Sequence, residues 1–531
     1  MRAEKISAKR LIFLSEHGVR LKYMKNKKAI YNFIFILIFM AMIIVPTLLM
    51  DHEKYKSSDI DNKTLTEWPG FSFDSETIRT IEDYVDDRIG FRSEAIYEYT
   101  KLSNDIFNVM VHPLFMYGEE GHIYYKDPDY IAAYQRLNTD TDYMDKFVKY
   151  LEETNDYLES RNIKFLYFLA PDKKSIYPEY FPKSIHVKED NSSVIEYMTK
   201  KLEGSDIEYV IPYEELKKAK ETQVIYNKKY DATHWNEFGS MIGQKLLDEH
   251  VQSWFEDVRP LSEDDYTLTF EKRTNLDQSD FPIDDDVPVY NLITDTSQDA
   301  GAYLASSIKL SVPTFYAHYM NPEVTNGKRL VIFTDSYFAP YSKFYKNRFS
   351  EVYYVHRQNY QYLQYIVNLL FPDAVIFETA ERSITGDMPL TTELDSYFYE
   401  NSYVMATKDG VSEVSKPSDI EYSITRVTGA RREGSNVFIN PNDGTSIVSM
   451  SGYLHNYDKT KDLELYLLID GNYLEVDYDA LHETSVTDNK KYFDIDIQRR
   501  YISPCEMKLI AVDEKNKEQY TVETFTVSYE E

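Results

Sequence analysis

Hydrophobic residues first appear in this chain as one long run. Residues 30–50 are apolar apart from Tyr31, Asn32, Pro46 and Thr47. At about 1.5 Å per residue, such a helix spans roughly 30 Å, the hydrocarbon thickness of a bilayer. Residues 51–72 are polar and read as a tether. From residue 75 to about 108 the apolar positions take helical spacing: Ile78, Ile81, Val85 and Ile89, then Ile96, Tyr99, Leu102 and Ile106. Two short aromatic segments, 115–117 and 123–125, flank Gly118-Glu119-Glu120-Gly121 and predict a hairpin.

A different rhythm follows. Residues 142–160 form an amphipathic helical pattern, and 163–170 (IKFLYFLA) is a continuous apolar run, as expected of a strand buried on both faces. The alternation recurs: strand 207–211 then helix 213–222, strand 329–333 (RLVIF) then helix 339–348, strand 352–355 then helix 360–371, and strand 374–377 (AVIF). Short apolar strands separated by helices predict an α/β fold with a doubly wound parallel sheet, whose functional groups sit at the carboxyl ends of its strands. After about residue 406 the period falls to two, with turn signals at 440–444 and 470–471, and predicts a C-terminal β-sandwich. The expected division is a basic tail (1–28), an apolar anchor (29–50), a tether and helical segment (51–115), an α/β domain (116–405) and a β-sandwich (406–531).

Charge orients this layout. The chain of 531 residues carries a formal charge of −30, which excludes non-specific nucleic-acid binding. Residues 1–28 run the other way, with nine Lys or Arg against Glu4 and Glu16. Basic residues before the apolar run and acidic ones after it (Asp51, Glu53) predict a single-pass membrane protein, N-terminus cytoplasmic and the bulk extracytoplasmic. A cleaved signal peptide and a buried core helix are the competing readings. The run is long for a signal peptide, and no small-x-small cleavage pattern follows Leu49. The single cysteine, Cys505, excludes intrachain disulfides and cysteine-based zinc sites.

Two segments carry candidate chemistry. One is Tyr230-Asp231-Ala232-Thr233-His234-Trp235-Asn236, before a helical pattern; the other is Thr334-Asp335-Ser336-Tyr337, at the end of the RLVIF strand. A serine hydroxyl becomes nucleophilic when an imidazole takes its proton, and the imidazole needs a carboxylate to fix its tautomer. Ser336 as nucleophile, His234 as base and Asp231 as its partner form a coherent set. The competing reading makes Asp231, Thr233, Asn236 or the Asp335-Ser336 pair helix caps. His318 and His356 have no carboxylate within four residues and are poorer bases. Asp231 with His234 offers two metal ligands at most, so neither a metal nor a cofactor is expected. Trp235 and Tyr337 are candidates for stacking on a sugar, and Arg357 and Arg382 for contacting substrate.

These segments and four others, in order, resemble the alginate-acetylation (AlgJ/AlgX) type of polysaccharide O-acetyltransferase over roughly residues 65–385. The others are Asp86-Asp87-Arg88-Ile89-Gly90-Phe91-Arg92, Tyr117-Gly118-Glu119-Glu120-Gly121-His122-Ile123-Tyr124 (His122 where Trp is usual), Pro171-Asp172-Lys173-Lys174-Ser175-Ile176-Tyr177-Pro178, and Pro372-Asp373-Ala374-Val375-Ile376-Phe377-Glu378 with Glu381-Arg382. The resemblance implies a permuted SGNH-hydrolase-like domain, with Asp231 and His234 before the nucleophile Ser336. It departs from the pattern in two places: Asp231 lies three positions before His234, where two is frequent, and Thr334 stands where Gly is frequent. The resemblance also implies a polysaccharide acceptor, and a multi-spanning membrane-bound O-acyltransferase that supplies the acetyl group. A carbohydrate esterase using the same residues, and a non-catalytic membrane-tethered glycan-binding or assembly protein, remain the alternatives. Tyr453, Tyr457, Tyr466, Tyr473 and Tyr478 are candidate glycan contacts or sheet core.

Overall fold

The structure, a computed structural model, describes residues 30–53, 57–58, 63–72, 74–107, 110–277, 279, 281–301, 310, 312–384, 411–417, 420–440, 447–455, 463–469, 472–476, 490–499, 502–513 and 515–530. The described chain divides into two units, residues up to 113 with 274–284, and residues 114–273 with 285–531.

In the first unit the apolar run forms helix α1 (Ile30–Leu48), exposed along its length and long and apolar enough to cross a membrane. The helical spacing beyond it resolves into α2 (Ser75–Arg88) and α3 (Arg92–Phe107), broken at Ile89-Gly90-Phe91, where Phe91 takes a positive φ. Asp87 and Arg88 tie α2 to the tether. Asp87 Oδ2 accepts from Thr66 N at 3.0 Å, and Arg88 donates to the carbonyls of Thr66 (2.8 Å) and Glu53 (2.6 Å).

The second unit contains a mixed seven-stranded sheet. Its strands are β1 (Lys164–Ala170), β2 (Tyr209–Val210), β3 (Gln298–Asp299), β4 (Ala317–Met320), β5 (Arg329–Thr334), β6 (Glu351–His356) and β7 (Ala374–Ala380), in the order β2-β1-β7-β5-β6-β4-β3. The first five in that order run parallel, and β4 is antiparallel to β6 and to β3. Along the parallel strands, alternate residues enter opposite cores. Phe165, Tyr167, Leu169, Val331, Phe333, Val375 and Phe377 pack with helices α4 (Thr141–Ser160), α5 (Val194–Leu202) and α7 (Leu363–Leu370). Leu166, Phe168, Leu330, Ile332, Ala374 and Ile376 pack with α6 (Glu237–Trp254). Burial on both faces is why these strands read as unbroken apolar runs.

Three elements differ from the sequence expectation. The helix expected at 339–348 is a 3₁₀ turn, Ala339–Phe344, with non-helical backbone at Tyr341. The helix expected at 360–371 begins as a 3₁₀ turn at Arg357 and becomes α-helical only at Leu363. A long hairpin, Tyr266–Asn275 with Pro282–Leu292, was not foreseen; its strands carry mostly polar or half-exposed positions and so lack an apolar run.

The C-terminal region contains only strands in its regular structure among the described residues. Tyr422–Thr428, Ile447–Leu454 and Lys491–Gln498 form one sheet. Leu463–Ile469, Glu506–Asp513 and Glu518–Tyr529 form the centre of a second. Met450, Phe493 and Ile495 from the first sheet and Leu465, Leu509 and Phe525 from the second share one buried core. This region joins the α/β part through Glu475, whose Oε2 accepts from Arg161 (2.5 Å), Asn368 (3.0 Å) and Tyr157 (3.1 Å). Tyr466 and Tyr473 are buried and Tyr453 is half-buried. Tyr457, Tyr478 and the expected boundary near 405 lie outside the described residues.

Candidate functional site

Four parallel strands end at one edge of the sheet, and each is followed by charged or polar residues. Asp172 follows β1, Asp335 and Ser336 follow β5, Arg357 follows β6, and Glu381 and Arg382 follow β7. Strand interiors are apolar on both faces, so the first polar side chains available for chemistry lie where the strands stop.

The Asp231–His234 segment reaches this edge as a loop. Its ends are pinned by a bridge between Tyr226 and Trp235. Asn236 then caps α6, its Oδ1 accepting from Phe238 N (3.0 Å) and Gly239 N (3.2 Å). Gly239 is required in that first turn, because a Cβ there would lie 2.5 Å from the Ile225 carbonyl oxygen. With the cap supplied by Asn236, Asp231 is left for His234. Asp231 Oδ1 accepts from the main-chain N–H groups of Thr233 and His234, both at 2.8 Å, and Oδ2 lies 2.8 Å from His234 Nδ1. On the other side of the ring, His234 Nε2 lies 2.7 Å from Ser336 Oγ. Burial alone would raise the Asp231 carboxyl, but the imidazole and these N–H groups hold it well below the usual carboxylate range. Asp231, His234 and Ser336 are all partly exposed, so a small ester can approach the hydroxyl.

Ser336 is not a helix cap. Asp335 fixes the turn that carries it: Oδ1 accepts from Tyr337 N (3.0 Å), and Oδ2 accepts from Ala380 N (3.0 Å), Arg357 Nε (3.3 Å) and Ser383 Oγ (3.3 Å). Beneath it, Glu378 Oε2 accepts from Thr334 Oγ1 (2.6 Å) and Asp335 N (3.0 Å). Thr334, in place of the glycine frequent in the resembling family, thus gains a buried partner. The N–H of Ser336 donates to no group among the described residues.

Of the candidate substrate contacts, Arg382 alone has a polar contact with the imidazole. Its Nη2 lies 3.1 Å from His234 Nε2, and Nη1 pairs with Asp172, which also accepts from the Arg382 N–H at 3.0 Å. The other three, Trp235, Tyr337 and Arg357, are buried and do not face a substrate. Trp235 is only 2% exposed, packed against Phe168 and Tyr337. Tyr337 is fully buried, and its hydroxyl, with one proton to donate, lies within hydrogen-bonding distance of Thr233 O (2.9 Å), Asp172 Oδ1 (3.0 Å) and Pro171 O (3.1 Å). Neither ring has a face for a sugar; Tyr337 lies against the imidazole, with centroids 4.7 Å apart, and Trp235 packs on Tyr337. Arg357 is 2% exposed and braces Asp335.

His318 also acquires a carboxylate from afar, Glu351 at 3.1 Å, but the pair is buried on β4 and β6 and stacked on Tyr353. Asp172, Lys173, Glu378 and Glu381 also lie at this edge, and sequence reasoning missed them. Their signal was positional: charged residues at or just beyond the ends of fully apolar strands.

No protein-family profile matches this chain, and no curated protein matches it by sequence. Solved structures do. PatB1 of Bacillus cereus matches with a TM-score of 0.41 and 16% identity, over 52% of this chain and 99% of PatB1. The O-acetyltransferase domain of Pseudomonas putida AlgJ matches with a TM-score of 0.37 and 14% identity, over 54% of this chain and 99% of that domain. The chain is similar to the AlgJ/AlgX type of protein. AlgX of Pseudomonas aeruginosa matches over 73% of this chain and 92% of its own, with a TM-score of 0.34 and 13% identity.

Proposed function

We propose that this chain is a membrane-anchored polysaccharide O-acetyltransferase with an SGNH-hydrolase-like domain, working through an acyl-serine on Ser336. The observation that carries the reading is the unbroken hydrogen-bonded line from Asp231 through His234 to a partly exposed Ser336. In the first step Ser336 Oγ attacks the carbonyl carbon of an acetyl donor while its proton passes to His234 Nε2. The tetrahedral intermediate collapses, the leaving oxygen takes that proton, and acetyl remains on Ser336. A sugar hydroxyl then attacks the acyl-serine, giving its proton to His234, which returns it to Oγ. Asp231 stabilises the imidazolium in both halves. The Ser336 N–H and Arg382 are the donors for the negative oxygen. The sugar acceptor, and the membrane-bound O-acyltransferase as donor, come from the sequence resemblance.

The test is to follow acetyl from an activated ester in the full-length protein, with and without polysaccharide from the source cells. The proposal expects acetyl on the polysaccharide, lost in Ser336→Ala and His234→Ala. Release to water alone, whatever glycan is present, would make the chain an esterase. Undiminished glycan acetylation by both variants would leave a tethered glycan-binding protein.

A further inference from the structure

Lys173 is a fully buried lysine that the proposed chemistry does not use. Its Nζ lies within hydrogen-bonding distance of four main-chain carbonyls: Asn227 (2.6 Å), Ile123 (3.0 Å), Lys228 (3.1 Å) and Asp231 (3.1 Å). Tyr124 lies beneath it, with the ring centroid 5.2 Å away. An ammonium has three protons, so these carbonyls share all of them. The same residue's main-chain N–H donates to Thr233 O at 2.9 Å.

Three of the four carbonyls, and Thr233 O, belong to residues 227–234. This excursion is closed at its base by the Tyr226–Trp235 bridge and carries Asp231 and His234. It contains no helix or strand. On its other side, Asp285 Oδ2 accepts from Lys229 N (2.7 Å) and Tyr230 N (2.9 Å). The loop is therefore held between an internal cation bonded to its carbonyls and a carboxylate bonded to its N–H groups. A buried ammonium is costly, and an apolar side chain would fill the space more cheaply. What the ammonium adds is a shared partner for three main-chain carbonyls of a loop without helix or strand, of which Lys228 O also accepts from the Ile123 N–H at 3.0 Å.

We propose that Lys173 is the positioning residue that holds the Asp231–His234 loop in register with Ser336, as an internal cross-link between β1 and that loop. The link to reactivity rests on the acyl-serine reading; the cross-link does not. The charged and titratable groups around the amine are Asp231, Asp285, Tyr124, Lys228 and His122. Burial pushes the amine down to about 7 against the pull of the two carboxylates.

The test compares full-length wild type with Lys173→Met in two ways. Amide hydrogen exchange, read by mass spectrometry, should be at least tenfold faster in peptides covering 227–236 of the variant and unchanged in those covering β1, β5 and β7. Reaction of Ser336 with a fluorophosphonate should lose at least tenfold in its maximal rate, with little change in half-saturating concentration. Unchanged exchange at 227–236 would overturn the proposal. A wild-type protein that the probe never labels would sink the serine reading while the exchange comparison still decides the role of Lys173. If the variant does not fold, wild type is taken from pH 6 to pH 10. After correction for base-catalysed exchange, 227–236 should loosen selectively as the amine is neutralised, and no selective change would overturn the proposal.

Discussion

His234 Nε2 and Ser336 Oγ lie 2.7 Å apart although 102 positions separate them in sequence. The Asp231–His234 half of the line is local, closed within one turn by Asp231 Oδ1 on the His234 N–H. The Ser336 half is made by the sheet, which ends β5 beside the loop that precedes α6.

Arg382 has Nη1 on Asp172 and Nη2 3.1 Å from His234 Nε2, and the proposed mechanism makes it a donor to the negative oxygen. Arg382→Met should lower kcat on an activated acetyl ester by about 10²–10³-fold with KM within about threefold, as expected for a donor that acts mainly in the transition state. Steady-state kinetics on a variant shown to be folded by circular dichroism checks this. A rise in KM at constant kcat would make Arg382 a substrate-binding group instead.

Asp335 and Glu378 are two buried carboxyl groups side by side beneath the nucleophile, and they do not share a charge equally. Burial, and then the neighbouring Asp335, holds Glu378 well above the usual carboxylate range. Burial would raise Asp335 too, but Arg357 and Arg382 keep it below. Glu378 therefore carries a proton that unfolding releases, and its share of stability is present below about pH 4 and lost as pH rises. Glu378→Gln should match wild type near pH 4 and be more stable above it. Asp335→Asn, which leaves Arg357 buried without its charge partner, should cost about 3–5 kcal/mol. Denaturant unfolding of the three proteins at two pH values makes the comparison.

His122 takes the position where the resembling family usually has Trp. Its ring stacks on Tyr180 with centroids 4.1 Å apart, and its Nδ1 is buried with no hydrogen-bond partner among the described residues. Burial, and then the charges of Lys173 and Lys228, push the ring down to about 3. It stays neutral in the fold while an unfolded histidine protonates below about pH 6.5. Its contribution is thus complete above that pH and lost as pH falls toward 3. His122→Phe keeps the stack and removes the proton. The gap in melting temperature between variant and wild type should widen in the variant's favour from pH 7 to pH 4, and a constant gap would count against this.

The sequence made the parallel strands legible because each is apolar on both faces; residues 163–170 and 329–333 needed no tertiary context. It made Asp231 and His234 legible as a pair because their contact is local. It misassigned Arg357, Trp235 and Tyr337, since a long polar or aromatic side chain beside a nucleophile reads alike whether it faces the substrate or props up the turn. Burial decides between them, and burial depends on β6, β7 and α6 closing around that turn. The hairpin 266–292 escaped notice for the opposite reason: its strands are mostly polar, with Tyr266 and Tyr290 as separate core contacts, which leaves little hydrophobic periodicity to read.

The central claim is that Ser336 receives the acyl group. Incubating the full-length protein with an activated acetyl ester, quenching in acid and sequencing its peptides by mass spectrometry tests it most directly. The account predicts an acetyl group on Ser336, accumulating in wild type and absent from His234→Ala. Turnover of the ester with acetyl on another residue, or equal labelling of Ser336 in the His234 variant, would contradict it.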